Sequence, residues 1–251
     1  MAEYQDTFMR IEKKYLLDAG QYAALSRALD AHMTRDQFGL HTICNLYFDT
    51  PDYALIRRSL DKPIYKEKLR LRSYGMPTSG DTVFLEIKKK FKGVVYKRRV
   101  GITPAQADEF MANGAFTPEF LNAQTGVQRQ IACEINWFEK LHCARPMAFI
   151  AYDRVALFAP DTPGLRVTFD LDIRWRGDAL RLDMPPRGRL LLDPGATLME
   201  IKIPGALPLW LSHALTRLGI FPTSFSKYGE CFINFVLHDD VRQSKGSLFS
   251  A

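Results

Sequence analysis

Four cations at two-residue spacing, Lys66, Lys68, Arg70 and Arg72, stand in the segment Y-K-E-K-L-R-L-R-S-Y at 65–74. Side chains alternate across a β-strand, so this spacing sends all four to one face. Same-face neighbours lie about 7 Å apart, where unit charges repel by roughly 0.6 kcal/mol in water and about 2.4 kcal/mol at an effective dielectric near 20. Such a face is either fully solvated or covered by something strongly anionic. The same alternation recurs in Lys88 and Lys90, in Lys97 and Arg99, in Arg154, Arg166 and Lys202, and in Arg10 and Lys14. With these thirteen bases go four acids, Glu12, Glu86, Asp170 and Glu200, whereas the whole chain holds 34 Lys and Arg to 28 Asp and Glu. A random solvent face mixes signs. Cations grip phosphoryl oxygens, and the isolated carboxylates Glu12 (R-I-E-K-K) and Glu200 (L-M-E-I-K) are of the type that holds a divalent ion bridging phosphates. This is an inventory for phosphoryl transfer. The sequence has no G-x-x-x-x-G-K-[ST] loop, kinase signature or G-x-G-x-x-G run, so side chains rather than a glycine-rich backbone must hold the phosphates.

Elements of two different periods must position these residues. Alternation predicts strands at 8–17, 41–49, 65–74, 82–91, 94–102, 147–158, 165–175 and 197–203, with a weaker one near 189–192. Lys92-Gly93 reads as the tight turn of a hairpin. Helices are predicted from the Asp18 N-cap to about Met33, from the Thr50-Pro51 turn to Leu60, from Pro104 to about Asn113, over most of 118–142, and at 207–218 and 226–238. The apolar parity of the strands, as in Val83, Leu85 and Ile87 or Val167, Phe169 and Leu171, needs covering by those helices. An α+β fold with one wet sheet face and a barrel with a wet lumen both fit the alternation. The clustering of cations favours a closed sheet, apolar outside and cationic inside.

The chain of 251 residues is 47% hydrophobic, enough for a sizeable core, and its net charge of +6 favours an anionic partner. No linker or repeat divides it, so one domain over 1–238 followed by a disordered tail at 239–251 is expected. The first residues show no basic start followed by an apolar run and no stretch approaches membrane-spanning length, so a cytoplasmic location is expected. Cys44, Cys133, Cys143 and Cys231 lack disulfide or metal spacing, and the five histidines are scattered. Aromatics do not interleave with the basic residues, so nucleic acid is not expected as a partner.

The ordered motifs R-I-E-K-K-Y at 10–15, Y-F-D-T at 47–50, K-L-R-L-R at 68–72, F-L-E-I-K at 84–88, Y-K-R-R at 96–99, Y-D-R at 152–154, M-E-I-K at 199–202 and F-S-K-Y at 225–228 run over nearly the whole chain. Together they resemble the VTC-domain polyphosphate polymerases of the CYTH, or triphosphate tunnel metalloenzyme, superfamily. The resemblance implies an antiparallel eight-stranded tunnel that binds a triphosphate and a divalent metal, Mn²⁺ or Mg²⁺. It implies phosphate contacts from Lys14, Arg70, Arg72, Lys88, Lys97, Arg99, Arg154 and Arg166, a metal on Glu200, and a tunnel-lining helix carrying Ser226 and Lys227. Strand parity adds Arg10, Lys66, Lys68, Lys90 and Lys202 to the phosphate track and Glu12 as a second metal ligand or ion-pair partner.

The superfamily's hydrolase branches open with E-x-E-x-K and carry a late E-x-E pair. This chain has Arg10-x-Glu12-x-Lys14 and Glu200-x-Lys202 in those places. Fewer carboxylates polarise an attacking water less, and more cations suit a long phosphate acceptor. The expected activity is transfer of the ATP γ-phosphate to a growing polyphosphate chain. A metal-dependent triphosphate hydrolase on the same fold is the nearest alternative, and a non-catalytic polyanion-binding module is the second.

Overall fold

The computed structural model describes residues 11–92 and 94–237. Arg10, Gly93 and the expected tail at 239–251 lie outside the described residues. The chain divides into two compact units, one of 1–41, 152–173 and 192–226, the other of 42–151, 174–191 and 227–251.

The first unit opens with β1 (Ile11–Leu17), whose Tyr15 and Leu17 are buried while Glu12 is exposed. The helix α1 (Ala19–Leu29) starts where expected, because the Asp18 carboxylate accepts from the Gln21 amide and the Gln21 Oε1 accepts from the Asp18 amide. It ends at Leu29 rather than Met33, and the two-residue β2 (Thr34–Arg35) follows. β7 (Arg145–Phe158) and β8 (Arg166–Arg176) are divided between the units, and β10 (Thr197–Ile203), α6 (Leu209–Arg217) and the short β11 (Pro222–Thr223) complete this one. Its strands run β11-β1-β10-β8-β7, and β11, β1, β10 and β8 pair antiparallel in turn. Tyr15, Leu25, Leu29, Val167, Phe169, Met199, Ile201 and Leu211 form the core between this sheet and its two helices. The opposite parity carries Lys14, Glu200 and Arg166.

The second unit holds β3 (His41–Asp49), α2 (Ala54–Leu60), β4 (Tyr65–Tyr74), β5 (Val83–Phe91) and β6 (Val94–Ile102). After these come α3 (Pro104–Asn113), α4 (Pro118–Ala123), α5 (Gly126–His142), β9 (Arg189–Leu190) and α7 (Lys227–Cys231). Its strand order is β7-β3-β4-β5-β6. The basic strand is β4, with the bounds its alternation predicted. The helix expected over 118–142 is two helices, separated by Gln124 and Thr125, and the second opens on Gly126, whose φ of +50° suits glycine. α7 is followed by a π-helical turn, Phe232–Val236, where one regular helix was expected.

Leu69, Leu71, Leu85, Ile87 and Val100 pack against Phe110 of α3 and Ile131, Ile135 and Phe138 of α5. The same face carries Lys89, which pairs with Glu134 of α5 at 2.8 Å. Lys89 therefore points to the helix layer, as its odd parity requires.

The protein thus has an α+β fold in which the sheet of each unit buries one face under helices. Counting two-residue ladders, the described strands number eleven, with β11 and β6 at the ends of the path.

Candidate functional site

In the second unit three cations converge on one acid. Glu86 on β5 is 1% exposed. Arg70 stands directly opposite it on β4, with Nη2 at 2.7 Å and Nε at 2.8 Å from Oε2. Lys97 reaches Oε1 from β6 at 2.8 Å, and Arg72 lies 3.7 Å from Oε2. Burial alone would raise the Glu86 pKa, but Arg70, Arg72 and Lys97 outweigh it and hold the carboxyl down at about 2. The Lys97 side chain is 43% exposed, yet desolvation of its ammonium against the sheet, with Arg70 and Arg72 adding to it and Glu86 opposing, pushes it down to about 8. Four charges in one cluster sum to a net positive site with its guanidinium groups fixed in place.

A second layer from β3 aims the arginines. Arg72 Nε donates to Asn45 Oδ1 at 2.9 Å, and Asn45 Nδ2 donates to the Ile150 carbonyl at 3.0 Å. Arg70 Nη1 donates to the Tyr47 hydroxyl at 3.3 Å. Tyr47 stacks on Tyr228 of α7, with ring centroids 5.0 Å apart, and the Tyr228 hydroxyl donates to Asp49 at 3.0 Å. Asp49 in turn accepts the amides of Thr50, Leu55 and Ile56, and so caps α2, whose N-cap residue Tyr53 makes no side-chain bond. Lys227, at the start of α7, is 8% exposed, and Ser226 is half-buried.

Along the same face the ladder sets Lys66 opposite Lys90, Lys68 opposite Lys88, and Lys88 opposite Lys97. Lys66 donates to the Ser59 carbonyl at 3.0 Å, and burial, then Lys90 and Lys62, lowers its pKa. Lys88, Lys90 and Arg99 are exposed, Arg99 lying over the Phe84 ring at 4.5 Å. The basic residues of three strands thus share one face, and like charges oppose each other across it, an arrangement that favours anions.

In the first unit Glu200 sits between two lysines, with Lys14 Nζ at 3.5 Å and Lys202 Nζ at 3.4 Å. Lys14 also donates to the Phe225 carbonyl at 2.8 Å. Arg154 makes a bidentate pair with Asp170, at 2.6 and 2.7 Å, and lies over Tyr152 at 5.1 Å. Burial disfavours its charge, and Tyr152, Asp170 and Glu200 outweigh that and raise its pKa. Arg166 is exposed, opposite Lys202 in the ladder.

A divalent ion would find no ready cage: among the described residues no three His, Cys, Asp or Glu side chains gather. Glu200 is a single, largely buried carboxylate, the Asp170 oxygens are engaged by Arg154, and Glu12 is exposed beside Lys202. Such a donor set fits an Mg²⁺-type ion, which keeps several waters, needs one or two carboxylates and takes its other ligands from substrate phosphates.

The sequence reading passed over Glu86, Asp170, Asn45, Tyr47 and Tyr228 as site residues. Glu86 and Asp170 stand at the right parity, so an acid set alone within a basic face was the available signal. The Tyr228 contact depends on long-range folding and left no local mark.

The solved structures similar to this chain include a candidate adenylate cyclase of Bacillus halodurans, at 12% identity and a TM-score of 0.51, covering 88% of this chain and 96% of that one. They also include a candidate adenylate cyclase of Vibrio parahaemolyticus (12%, TM-score 0.48, covering 90% and 98%). A third is a candidate adenylyl cyclase of Hippeastrum with a dominant triphosphatase activity (19%, TM-score 0.47, covering 88% and 93%). The Bacillus protein supports the fold. No curated protein matches. The VTC domain model matches residues 9–235, a span that holds every motif from β1 to α7, and the chain belongs to the VTC domain family.

Proposed function

We propose that this protein is an ATP-dependent polyphosphate polymerase with an eight-stranded tunnel fold. Membership of the VTC domain family supports an enzyme acting on triphosphates or polyphosphate. The observation that carries transfer over hydrolysis is Lys202, which stands where the hydrolase pattern has a carboxylate and lies 3.4 Å from Glu200, with Lys14 also at 3.5 Å. Cations there neutralise an anionic acceptor and leave little basic oxygen to activate water.

In the reaction, an oxygen of the terminal phosphate of the acceptor chain forms a bond to the γ-phosphorus of ATP. The bond from that phosphorus to the β,γ-bridging oxygen breaks, and ADP leaves with a chain one phosphate longer. The acceptor is already ionised at neutral pH, so no general base is needed. Arg70, Arg72, Lys97 and Lys88 are assigned to ATP and acceptor phosphates, with Arg154, Arg166 and Lys14, and Lys66, Lys68, Lys90 and Arg99 extend the track. Positioning and electrostatics supply the barrier lowering. A divalent ion held by Glu200 would neutralise charge shared by the β and γ groups.

Incubation of the purified protein with ATP and Mn²⁺ or Mg²⁺ tests the reading. Phosphoanhydride chains of increasing length with matching ADP are expected. Orthophosphate release with no chain growth points to the hydrolase. No turnover with tight polyphosphate binding points to the binding module.

A further inference from the structure

Thr168 lies on β8 directly opposite Glu200 on β10, on the face that also carries Lys14 and Arg166. It is 5% exposed, and its hydroxyl has no hydrogen-bond partner. A buried hydroxyl left unpaired costs about 1–3 kcal/mol, and a strand so placed accepts valine without that cost. The orphan sits next to a carboxylate that has lysine ammonium groups at 3.5 and 3.4 Å. Opposed residues of an antiparallel pair have Cβ atoms about 5 Å apart, so a group bound by one is in reach of the other. A hydroxyl offers one donor and two lone pairs, and as a hard oxygen it suits the same ions that carboxylates bind.

We infer that the Thr168 hydroxyl is the second protein ligand of the divalent ion anchored by Glu200, met directly or through one of the ion's waters. The inference rests on the metal assignment made above for Glu200. It explains why a polar residue is buried without a partner at this register position.

The test is Mn²⁺ titration of the full chain, followed by electron paramagnetic resonance, with a non-hydrolysable ATP analogue present. Thr168→Val and Thr168→Ala are expected to weaken Mn²⁺ binding at least tenfold, a loss of the size known for outer ligands of metal sites. Thr168→Ser is expected to stay near wild type. In EDTA the melting temperature of Thr168→Val should not fall, because the hydroxyl it lacks is unpaired there. Unchanged Mn²⁺ affinity in both the valine and alanine variants overturns the inference. So does an equal loss of analogue affinity with and without Mn²⁺, which would put the hydroxyl on a phosphate. Glu200→Gln separates the two levels. Loss of Mn²⁺ in that variant alone refutes Thr168 and keeps the metal assignment, whereas retention of Mn²⁺ in it refutes both. Mn²⁺ loss in Glu200→Gln and Thr168→Val alongside orthophosphate release without chain growth supports the ligand and refutes only the polymerase.

Discussion

Lys97 Nζ meets Oε1 of Glu86 at 2.8 Å, although the register sets Lys97 opposite Lys88 and Glu86 opposite Arg99. The lysine leans diagonally along the sheet to the only acid of the cluster formed with Arg70 and Arg72. The Glu86 carboxyl is held at about 2 against an ordinary 4.5, so its contribution to stability is complete above pH 4.5 and is lost as pH falls from 4.5 through 2. That window is worth about 3 kcal/mol. Glu86→Gln is expected to remove this acid limb and to lower stability at pH 7 by about 3 kcal/mol, because three cations lose their counter-charge. Urea unfolding between pH 2.5 and 7 measures both. An acid limb of unchanged depth in the variant would refute the role of Glu86.

Lys97 is the cation of the cluster that titrates near neutrality. Its pKa of about 8, against an ordinary 10.5, works against folding below pH 8, and that cost is relieved as pH rises from 8 to 10.5. Charge on Lys97 therefore drains away over the range where phosphate would be gripped. Triphosphate affinity of the wild type is expected to fall several-fold between pH 7 and 9. Lys97→Arg, which stays charged, should keep its pH 7 affinity at pH 9, and Lys97→Met should be weak and flat throughout. Isothermal titration with tripolyphosphate reads the three profiles, and parallel falls in all three would exclude Lys97 as the titrating group.

Much of this was legible because period-2 alternation is a local property. The four-cation strand, the Lys88 to Arg99 hairpin, the cap at Asp18 and the helix start at Pro104 follow from residues adjacent in sequence. What alternation cannot give is which charges touch. Arg70 was read as facing a ligand, and its guanidinium is held by Glu86 from the next strand. Arg154 was read the same way, and its bidentate partner Asp170 is sixteen residues distant. The break in the helix expected over 118–142 is carried by one glycine at positive φ, a small signal beside the apolar spacing around it.

The hydroxyl of Tyr228 donates to Asp49, the residue that caps α2. Burial raises the Asp49 pKa despite its hydrogen bonds, so this carboxylate depends on every donor it has. Tyr228→Phe is expected to cost about 1 kcal/mol, and Asp49→Ala roughly 3 kcal/mol because three backbone amides lose their acceptor. The double variant should cost little more than Asp49→Ala alone, since both act through one network. Additive losses in urea midpoints would show the two to be independent.

Asp170 fixes Arg154 with two short bonds and is fully buried. Asp170→Asn would leave the guanidinium with a weaker, one-sided anchor, at a stability cost of roughly 3 kcal/mol. Arg154 would then sample more rotamers. KM for the phosphate substrate is expected to rise about tenfold with a smaller change in kcat, since what is lost is ground-state positioning. Arg154→Lys should show the same KM increase, because a point charge cannot make the bidentate contact. A fall in kcat at constant KM in Asp170→Asn would instead place Asp170 in the chemical step.

Lys202 occupies the position two residues after Glu200, with its ammonium 3.4 Å from the Glu200 carboxylate. Lys202→Glu would give β10 the E-x-E pair of the hydrolase pattern and turn one cation of the face into an anion. A second carboxylate would strengthen metal binding and polarise water, and the loss of a positive charge would weaken the hold on a long anionic acceptor. The expected outcome is a shift in products: orthophosphate formed per ADP should rise and chain growth should fall. Lys202→Met, which removes the charge without adding an oxygen, should lower chain growth and leave orthophosphate at its basal level. Measuring ADP, orthophosphate and chain length in the same reactions separates the two effects. Equal orthophosphate yield from both variants would mean that the acceptor cation, and not the missing carboxylate, decides between transfer and hydrolysis.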